Sequence, residues 1–142
     1  MSKVDVFLAE RFTHMMPGDV SLWQRFLVQH GEYFDRFEYD VHVGQGVELD
    51  PAWPEEIVRV ALALTRKRID AVGYRGSEVW LFEVKPDAGL SALGQILAYK
   101  ALWERGRGKA ASMYLAIVTD RINPDEAYLF DTHGIRVYIV IP

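Results

Sequence analysis

The sequence contains no cysteine, which excludes structural disulfides, thiolate zinc sites and cysteine nucleophiles. Histidine is also sparse and scattered, and no pair has a spacing typical of a metal site. The four histidines are His14, His30, His42 and His133. A bound metal, if there is one, is therefore expected to be a hard cation held by carboxylate oxygens.

Long apolar runs are missing as well, and none approaches the length that spans a bilayer. The first residues are interrupted by Asp5, Glu10 and Arg11, so they lack the apolar stretch of a signal peptide. We expect a protein of the cytoplasm, without a membrane partner. Asn123 is the only asparagine and arginine exceeds lysine. With the missing cysteines, this composition favours a thermophilic source.

What is present predicts one folded domain. The chain has 142 residues, of which 50% are hydrophobic and 13% aromatic, enough to bury a core. The net charge of −4 argues weakly against non-specific binding to nucleic acid. Two basic segments nevertheless offer contacts for phosphates. They comprise Arg66, Lys67 and Arg68, and further on Arg105, Arg107 and Lys109.

Hydrophobic periodicity predicts alternating helices and strands. The predicted helices cover Val4–Phe12, a segment from the N-cap Asp19 to His30, a short segment with Ile57, Val60, Ala61 and Leu64, Leu90–Glu104, and Pro124–Thr132. The predicted strands cover Tyr33–Val43, Arg68–Tyr74, Val79–Lys85, Met113–Val118 and Ile135–Ile141. This order predicts an α/β layered domain whose last strands pair in parallel. We expect residues 1–142 to form a single domain, with a helical part over about 1–32 and a core over about 33–142.

Two neighbouring predicted strands carry the residues that can bind a metal or take part in catalysis. Side chains alternate along a strand, so Glu83 and Lys85 share one face at the end of an apolar strand. Asp70 lies on the partner strand of the predicted hairpin, where its carboxylate can approach Glu83. Two adjacent carboxylates repel each other unless a cation neutralises them, and a divalent ion does so. Lys85 can then orient a water or stabilise charge on a phosphate.

The alternative reading places these charged groups on a solvated strand face. The apolar neighbours of Asp70 and Glu83 argue against it. Gln95 and Tyr99 are four residues apart on the helix that follows, so they share a face close to the acid pair. Asp87 is either a further acid beside this site or a helix cap.

These motifs resemble the PD-(D/E)XK nuclease superfamily, in the branch with a QxxxY motif found in RecB-type nucleases. The resemblance covers about residues 65–120 and includes Asp70, Glu83-Val84-Lys85 and Gln95–Tyr99. It implies a three-layer, restriction-endonuclease-like fold with a central mixed β-sheet flanked by helices. It also implies a DNA nuclease that depends on Mg²⁺ or Mn²⁺.

The same resemblance assigns roles to individual residues. Asp70, Glu83 and the backbone carbonyl of Val84 would be metal ligands, Lys85 the catalytic lysine, and Gln95 and Tyr99 supporting residues. Ile69 stands where proline is common in the superfamily. Many members add an acidic or histidine residue from the first helix, and the candidates here are Glu10, His30 and Glu32.

Two functional hypotheses follow. The first is a metal-dependent deoxyribonuclease, of phage or mobile-element origin or working with a partner subunit. The second is a nuclease fold without turnover that binds nucleic acid or protein, or has a structural role, because fold does not dictate function. In that case the final strand, Ile135–Ile141, is a sheet edge that can pair with a second copy of the chain.

Overall fold

The computed structural model describes residues 2–12, 15–45, 51–59 and 67–141. The helices within these ranges are α1 (Lys3–Ala9), α2 (Pro17–His30), α3 (Leu90–Arg107) and α4 (Pro124–Thr132), and α2 runs into a 3₁₀ turn at Gly31–Tyr33. The strands are β1 (Arg36–Val43), β2 (Lys67–Arg75), β3 (Glu78–Val84), β4 (Ser112–Thr119) and β5 (Ile135–Ile139). Residues 55–59 are also helical. The rest of the predicted segment around Ile57–Leu64 lies outside the described residues.

The described strands form one mixed sheet in sequence order, β1 to β5. β1, β2 and β3 pair antiparallel, whereas β3, β4 and β5 pair in parallel. Parallel neighbours need a crossover connection, and α3 and α4 provide the two crossovers. The predicted parallel strand-helix-strand unit at the end of the chain is confirmed.

Helices cover both faces of the sheet, so the fold has three layers. On one face, Trp23 and Phe26 of α2 pack against Phe82 of β3. On the other face, Ile96 of α3 shares a buried cluster with Leu81 of β3. Both faces of β3 are therefore buried, which agrees with the nearly continuous apolar sequence of this strand. The predicted α/β architecture, with a central mixed sheet between helices, is confirmed.

Three predicted helix boundaries are wrong by more than one residue, and the first is the end of α1, which lies at Ala9 and not at Phe12. Helix α2 starts at Pro17 after the N-cap Met16, so Asp19 lies in the first turn and is not the cap. Helix α3 passes Glu104 and ends at Arg107, where Gly108 adopts a φ of 79° and its N–H bonds back to Glu104. A Cβ at Gly106 would meet no atom within 4 Å, and this glycine does not interrupt the exposed last turn.

Two strand boundaries also shift. The predicted strand from Tyr33 begins only at Arg36, because Gly31–Tyr33 forms the 3₁₀ turn. The final strand ends at Ile139 and not at Ile141.

The hairpin of β1 and β2 changes faces halfway along its length. Tyr39 belongs to the core that faces α2, whereas Val41, only two residues later, packs in the core that faces α3. Strict alternation would keep both on one face. Asp40 between them has a φ of 53°, in the left-handed region, which rotates the following residues.

The described residues include no helix with the length and apolarity to cross a membrane.

Candidate active site

Asp70 and Glu83 come together because their strands are neighbours in the sheet. The antiparallel register pairs Ala71 with Phe82, and one step further it places Asp70 opposite Glu83. Ladder pairing stops there, and the Val84 N–H donates to Oδ2 of Asp70 at 2.8 Å. This bond fixes the Asp70 carboxylate beside the end of β3. The juxtaposition expected from the sequence is present.

The Glu83 carboxyl is buried without full compensation. Only 6% of the residue is exposed, and its Oε2 atom has no hydrogen-bond partner. Burial and the negative charge of Asp70 raise the pKa of Glu83 to about 9. The pKa of Asp70 is also raised, chiefly by burial. Two like charges so close together titrate as a pair, and without a counter-cation they retain a proton at neutral pH.

Tyr99 of α3 closes the site from the helix layer. It is 5% exposed, and its hydroxyl lies within hydrogen-bonding reach of the Glu83 carboxyl, an interaction that lowers the pKa of Glu83. Burial and the charge of Glu83 raise the pKa of Tyr99, so its hydroxyl stays protonated and acts as a donor. Gln95, one turn earlier, is exposed. The structure thus brings Tyr99 to the acid pair and leaves Gln95 on the surface nearby.

Lys85 follows directly after β3 and continues its alternation. Its backbone N–H donates to the Val118 carbonyl at 3.0 Å, and its Nζ donates to Oγ of Ser91 at 2.9 Å. The ammonium charge lowers the pKa of Glu83. Ser91 lies in the first turn of α3 and was not among the predicted site residues. A serine in the first turn of a helix is common, so no local signal marks it.

Asp19 is a further acid near the pair, and it was not among the predicted site residues. It lies in the first turn of α2, and its pKa is raised by burial and by the charge of Asp70. The charge of Lys85 acts in the opposite direction. The first turn of α2 also approaches the segment after Lys85, because a Cβ on Gly18 would lie 3.8 Å from Cγ of Pro86.

The three candidates proposed for the acidic or histidine residue of the first helix lie elsewhere. His30 ends α2 and Glu32 follows in the 3₁₀ turn, about 16 Å along the helix axis from Asp19. Glu10 caps the end of α1 and raises the pKa of Tyr39. Asp19, in contrast, interacts with the charges of Asp70 and Lys85. An acid in a first turn reads from sequence as a helix-dipole interaction.

A fourth acid, Asp40 on β1, lies near Asp70. It lies between the pairs Tyr39–Ala71 and Val41–Ile69, and its charge raises the pKa of Asp70. Asp40 is itself paired with Arg68, at 3.7 Å from Oδ1 to Nε. Arg68, predicted to contact phosphate, is thus partly engaged within the protein.

The turn between Lys85 and α3 is fixed by the residues after β4. Asp87 adopts a φ of 47°, its N–H donates to Asp120 at 2.7 Å, and its carboxylate pairs with Arg121 at 3.2 Å. The buried Thr119 hydroxyl accepts from the Ala88 N–H at 3.0 Å. Asp87 does not cap α3, since the N-cap is Gly89 without a side-chain bond. The Asp87 carboxylate pairs with Arg121, so Asp87 stabilises the conformation of the turn.

The basic segments meet at one end of the β1–β2 hairpin. Lys67 is exposed and pairs with Val43, and Val43 lines a hollow together with Arg105 and Arg107. Arg107 lies over the Trp103 ring at 4.2 Å. Lys109 is also exposed, whereas Arg66 lies outside the described residues. The exposed side chains can contact a polyanion, and they are Lys67, Arg105, Arg107 and Lys109.

The donor set fits a hard divalent cation. Asp70 and Glu83 supply carboxylate oxygens side by side, and Oε2 of Glu83 lacks any partner. The described residues contain no cluster of three or more histidine or acidic side chains arranged to hold a metal, so Asp19 acts at longer range than the pair. Mg²⁺ ordinarily takes only one or two carboxylates and keeps several waters, which matches a two-acid site.

The sheet order, the two helix layers and the position of the acid pair define a nuclease-like α/β fold. Solved structures share this fold. A repair endonuclease from Pyrococcus abyssi superposes with a TM-score of 0.53 over 94% of this chain and 50% of its own length, at 12% identity. EndoMS in complex with double-stranded DNA gives a TM-score of 0.50 over 94% of this chain and 50% of its own, at 13% identity.

A protein of unknown function is similar as well, with a TM-score of 0.52 over 82% of this chain and 56% of its own length, at 18% identity. The chain thus spans about half the length of the structures it matches. No protein-family model matches the sequence, and no curated protein sequence matches it. The likeness shows the fold.

Proposed function

We propose that this protein is a metal-dependent deoxyribonuclease of the PD-(D/E)XK type, in the branch with a QxxxY motif. The observation that carries the proposal is the buried Asp70–Glu83 pair, in which Oε2 of Glu83 has no partner. An uncompensated carboxylate pair destabilises a fold, so its presence at the end of a well-packed strand indicates a functional site. The DNA-bound state of EndoMS supports DNA as the substrate class.

Asp70, Glu83 and the Val84 carbonyl would hold Mg²⁺ or Mn²⁺. Such an ion, when bound, supplies an acidified water and a polarised phosphoryl oxygen. The protein's own part is to hold both acids in position, through the Val84 N–H on Asp70 and the Tyr99 hydroxyl near Glu83. Asp19, at longer range, would orient water at the open side of the pair.

Lys85 supplies the positive charge that phosphodiester hydrolysis needs on the attacking side. Its ammonium lies close enough to lower the pKa of Glu83, while Ser91 holds one of its N–H donors. The remaining two donors can orient the attacking water or stabilise charge that develops on the phosphate. The exposed Lys67, Arg105 and Arg107 would contact phosphates of the flanking strand.

The test is a cleavage panel on single-stranded, duplex and branched DNA and on RNA, with Mg²⁺ and with Mn²⁺. Lys85→Ala is expected to lower the cleavage rate by at least about 100-fold, as for the loss of a proton-transfer or charge-stabilising group. Lys100→Ala is the matched control, because Lys100 lies on α3 beside Tyr99 in sequence and is not in the proposed site. It should cleave like the wild type.

Equal cleavage by Lys85→Ala and wild type would exclude this mechanism. Absence of cleavage on every substrate, with a wild-type protein that is folded, would instead favour the non-catalytic nuclease-fold module. Circular dichroism establishes the folded state of each variant in the same buffer.

A further inference from the structure

A second hollow lies on the opposite face of the sheet from the acid pair. Its volume is about 340 Å³, within the range of small-molecule sites. It forms where the C-terminal end of α2 and the 3₁₀ turn leave the first halves of β3, β4 and β5 uncovered. Its walls include Gln29, His30, Glu32, Tyr33, Phe34, Trp80, Tyr114, Arg136 and Tyr138.

This hollow, the aromatic pocket, is separate from the proposed active site. Trp80 points into the core that faces α2, whereas Glu83 contacts α3 through Tyr99. The two sites also lie at opposite ends of α2, since Asp19 begins the helix and His30 ends it. Binding of a ligand in the aromatic pocket therefore does not depend on the proposed cleavage reaction.

Two of the aromatic side chains that line the pocket are bonded to one carboxylate. The Tyr33 hydroxyl donates to Oε1 of Glu78 at 2.7 Å, and the Trp80 indole N–H donates to the same oxygen at 2.9 Å. Trp80 also stacks on Tyr114, with ring centroids 4.7 Å apart and planes 21° apart. A wall of fixed rings binds a planar ligand with little loss of side-chain entropy.

Charged groups of both signs line the same pocket. The Arg136 guanidinium lies 5.1 Å from the Trp80 ring centroid and 5.2 Å from that of Tyr114. In the part of the chain that the structure describes, no carboxylate oxygen lies within 4 Å of Arg136, so its N–H donors remain available. Glu32 lines the pocket from the 3₁₀ turn and is exposed. The pocket therefore offers donors, acceptors and flat apolar surface together.

We propose that the aromatic pocket binds a nucleobase, either of a free nucleotide or of an unstacked residue in a single strand. Bases stack on aromatic side chains and are hydrogen-bonded at their edges. Guanine matches the charged pair best, because arginine donates to its O6 and N7 atoms while a carboxylate accepts from its N1–H and exocyclic amino group.

The test is a titration of the ¹⁵N-labelled full chain with guanosine 5′-monophosphate in buffer with EDTA, followed by NMR. We expect saturable shifts of the Trp80 indole signal and of the backbone amides of the lining residues. Ribose 5-phosphate serves as the probe without a base. A short single-stranded oligonucleotide with one guanine distinguishes the two sources, since tighter binding of the strand indicates an unstacked base and equal or weaker binding indicates the free nucleotide.

Arg136→Ala should raise the dissociation constant for the nucleotide at least fivefold, the lower end of what a good contact to a base edge contributes. Arg11→Ala is the control, because Arg11 is exposed and does not line the pocket. Arg136 is itself exposed, so the variant retains its fold, and its spectrum reports this directly.

Three results would overturn the inference. They are no saturation with a dissociation constant below about 1 mM, equal binding of ribose 5-phosphate, or equal binding by Arg136→Ala and wild type. Each is read without metal and without cleavage, so failure of the nuclease proposal leaves this test intact.

Discussion

Glu83 has an apolar environment, a neighbouring Asp70 and one carboxylate oxygen without a donor. Each of these features raises the free energy of its charged form in the folded protein. A residue chosen for packing alone would be leucine or valine, like its neighbours on β3. At the scale of single residues, this mismatch between a side chain and its surroundings is what distinguishes the site from the rest of the sheet.

Glu83→Gln should therefore stabilise the metal-free protein. The amide has nearly the same shape, carries no charge and can donate to the Asp70 carboxylate. We expect the free energy of unfolding at neutral pH to rise by about 1–3 kcal/mol, the range found for relieving an unpaired buried polar group. Urea denaturation in EDTA measures it, and a variant less stable than wild type would contradict the assignment.

The gain should also depend on pH. The pKa of Glu83 is raised to about 9 from an ordinary 4.5, so the folded state binds its proton more tightly than the unfolded state. Wild-type stability then falls as pH rises from about 4.5 to about 9. Consequently the advantage of Glu83→Gln should be small at pH 5 and larger at pH 8. A difference that is constant over this range would show that the pKa of Glu83 is not raised in the folded protein.

Asp19→Asn tests the acid contributed by α2. Because Asp19 interacts with both Asp70 and Lys85, we expect the variant to need a higher Mg²⁺ concentration for half-maximal cleavage, by about tenfold, the lower end of the effect of outer-shell substitutions. Glu10→Gln is the matched control, since Glu10 was a sequence candidate for the same role and lies at the end of α1. Equal metal requirements for both variants would remove Asp19 from the site.

At the scale of secondary-structure elements, the sequence predicts β3 well because both of its faces are apolar and its alternation is regular. Alternation along the strand puts Trp80 and Phe82 on one face and Leu81 and Glu83 on the other. The two cores agree with this. The hairpin turn after β2 likewise follows from Gly76, whose φ is 54°. Local patterns of this kind contain enough information to place Asp70 opposite Glu83.

Other features depend on contacts that no local pattern contains. The left-handed conformation of Asp40 reverses the faces of β1, although aspartate gives no certain signal for it. Asp19 approaches Asp70 only because α2 packs across the sheet, and Ser91 meets Lys85 only because the turn before α3 is tied to Thr119. The sequence therefore predicts the acid pair and misses the groups brought to it by packing.

The packing of β1 and β2 against α1 and α2 can be tested at Gly73. A Cβ there would lie 2.9 Å from Cδ1 of Phe34 and 3.0 Å from Cε1 of Phe37, and both rings are buried. Gly73→Ala should lower the free energy of unfolding by about 1–3 kcal/mol through overpacking. Chemical denaturation measures it, and an unchanged midpoint would mean that the two rings move aside freely.

Gly94→Ala is the matched control with the opposite sign. Gly94 lies within α3 and has no atom within 4 Å of the position of a Cβ. Alanine there should stabilise the helix by about 0.5–1 kcal/mol. A loss of stability in both variants would point to a general intolerance of the fold and not to the contact at Gly73.

At the scale of the whole molecule, the three layers place Glu83 against α3 on one side of the sheet and the aromatic pocket beside α2 on the other. β5 is one of the two edge strands of the described sheet, and its Ile139 is 51% exposed. Pairing of this edge with a second copy stays a prediction. The net charge of −4 coexists with exposed basic residues near Val43, so weak overall attraction to DNA and local phosphate contacts are compatible.

The central claim is that Asp70 and Glu83 together bind one divalent cation. The most direct measurement is a Mn²⁺ titration followed by electron paramagnetic resonance, with wild type, Asp70→Asn and Lys100→Ala side by side. We predict one bound Mn²⁺ per chain in wild type and in Lys100→Ala, and loss of that binding in Asp70→Asn. No bound ion in wild type, or equal binding by Asp70→Asn, would contradict the account.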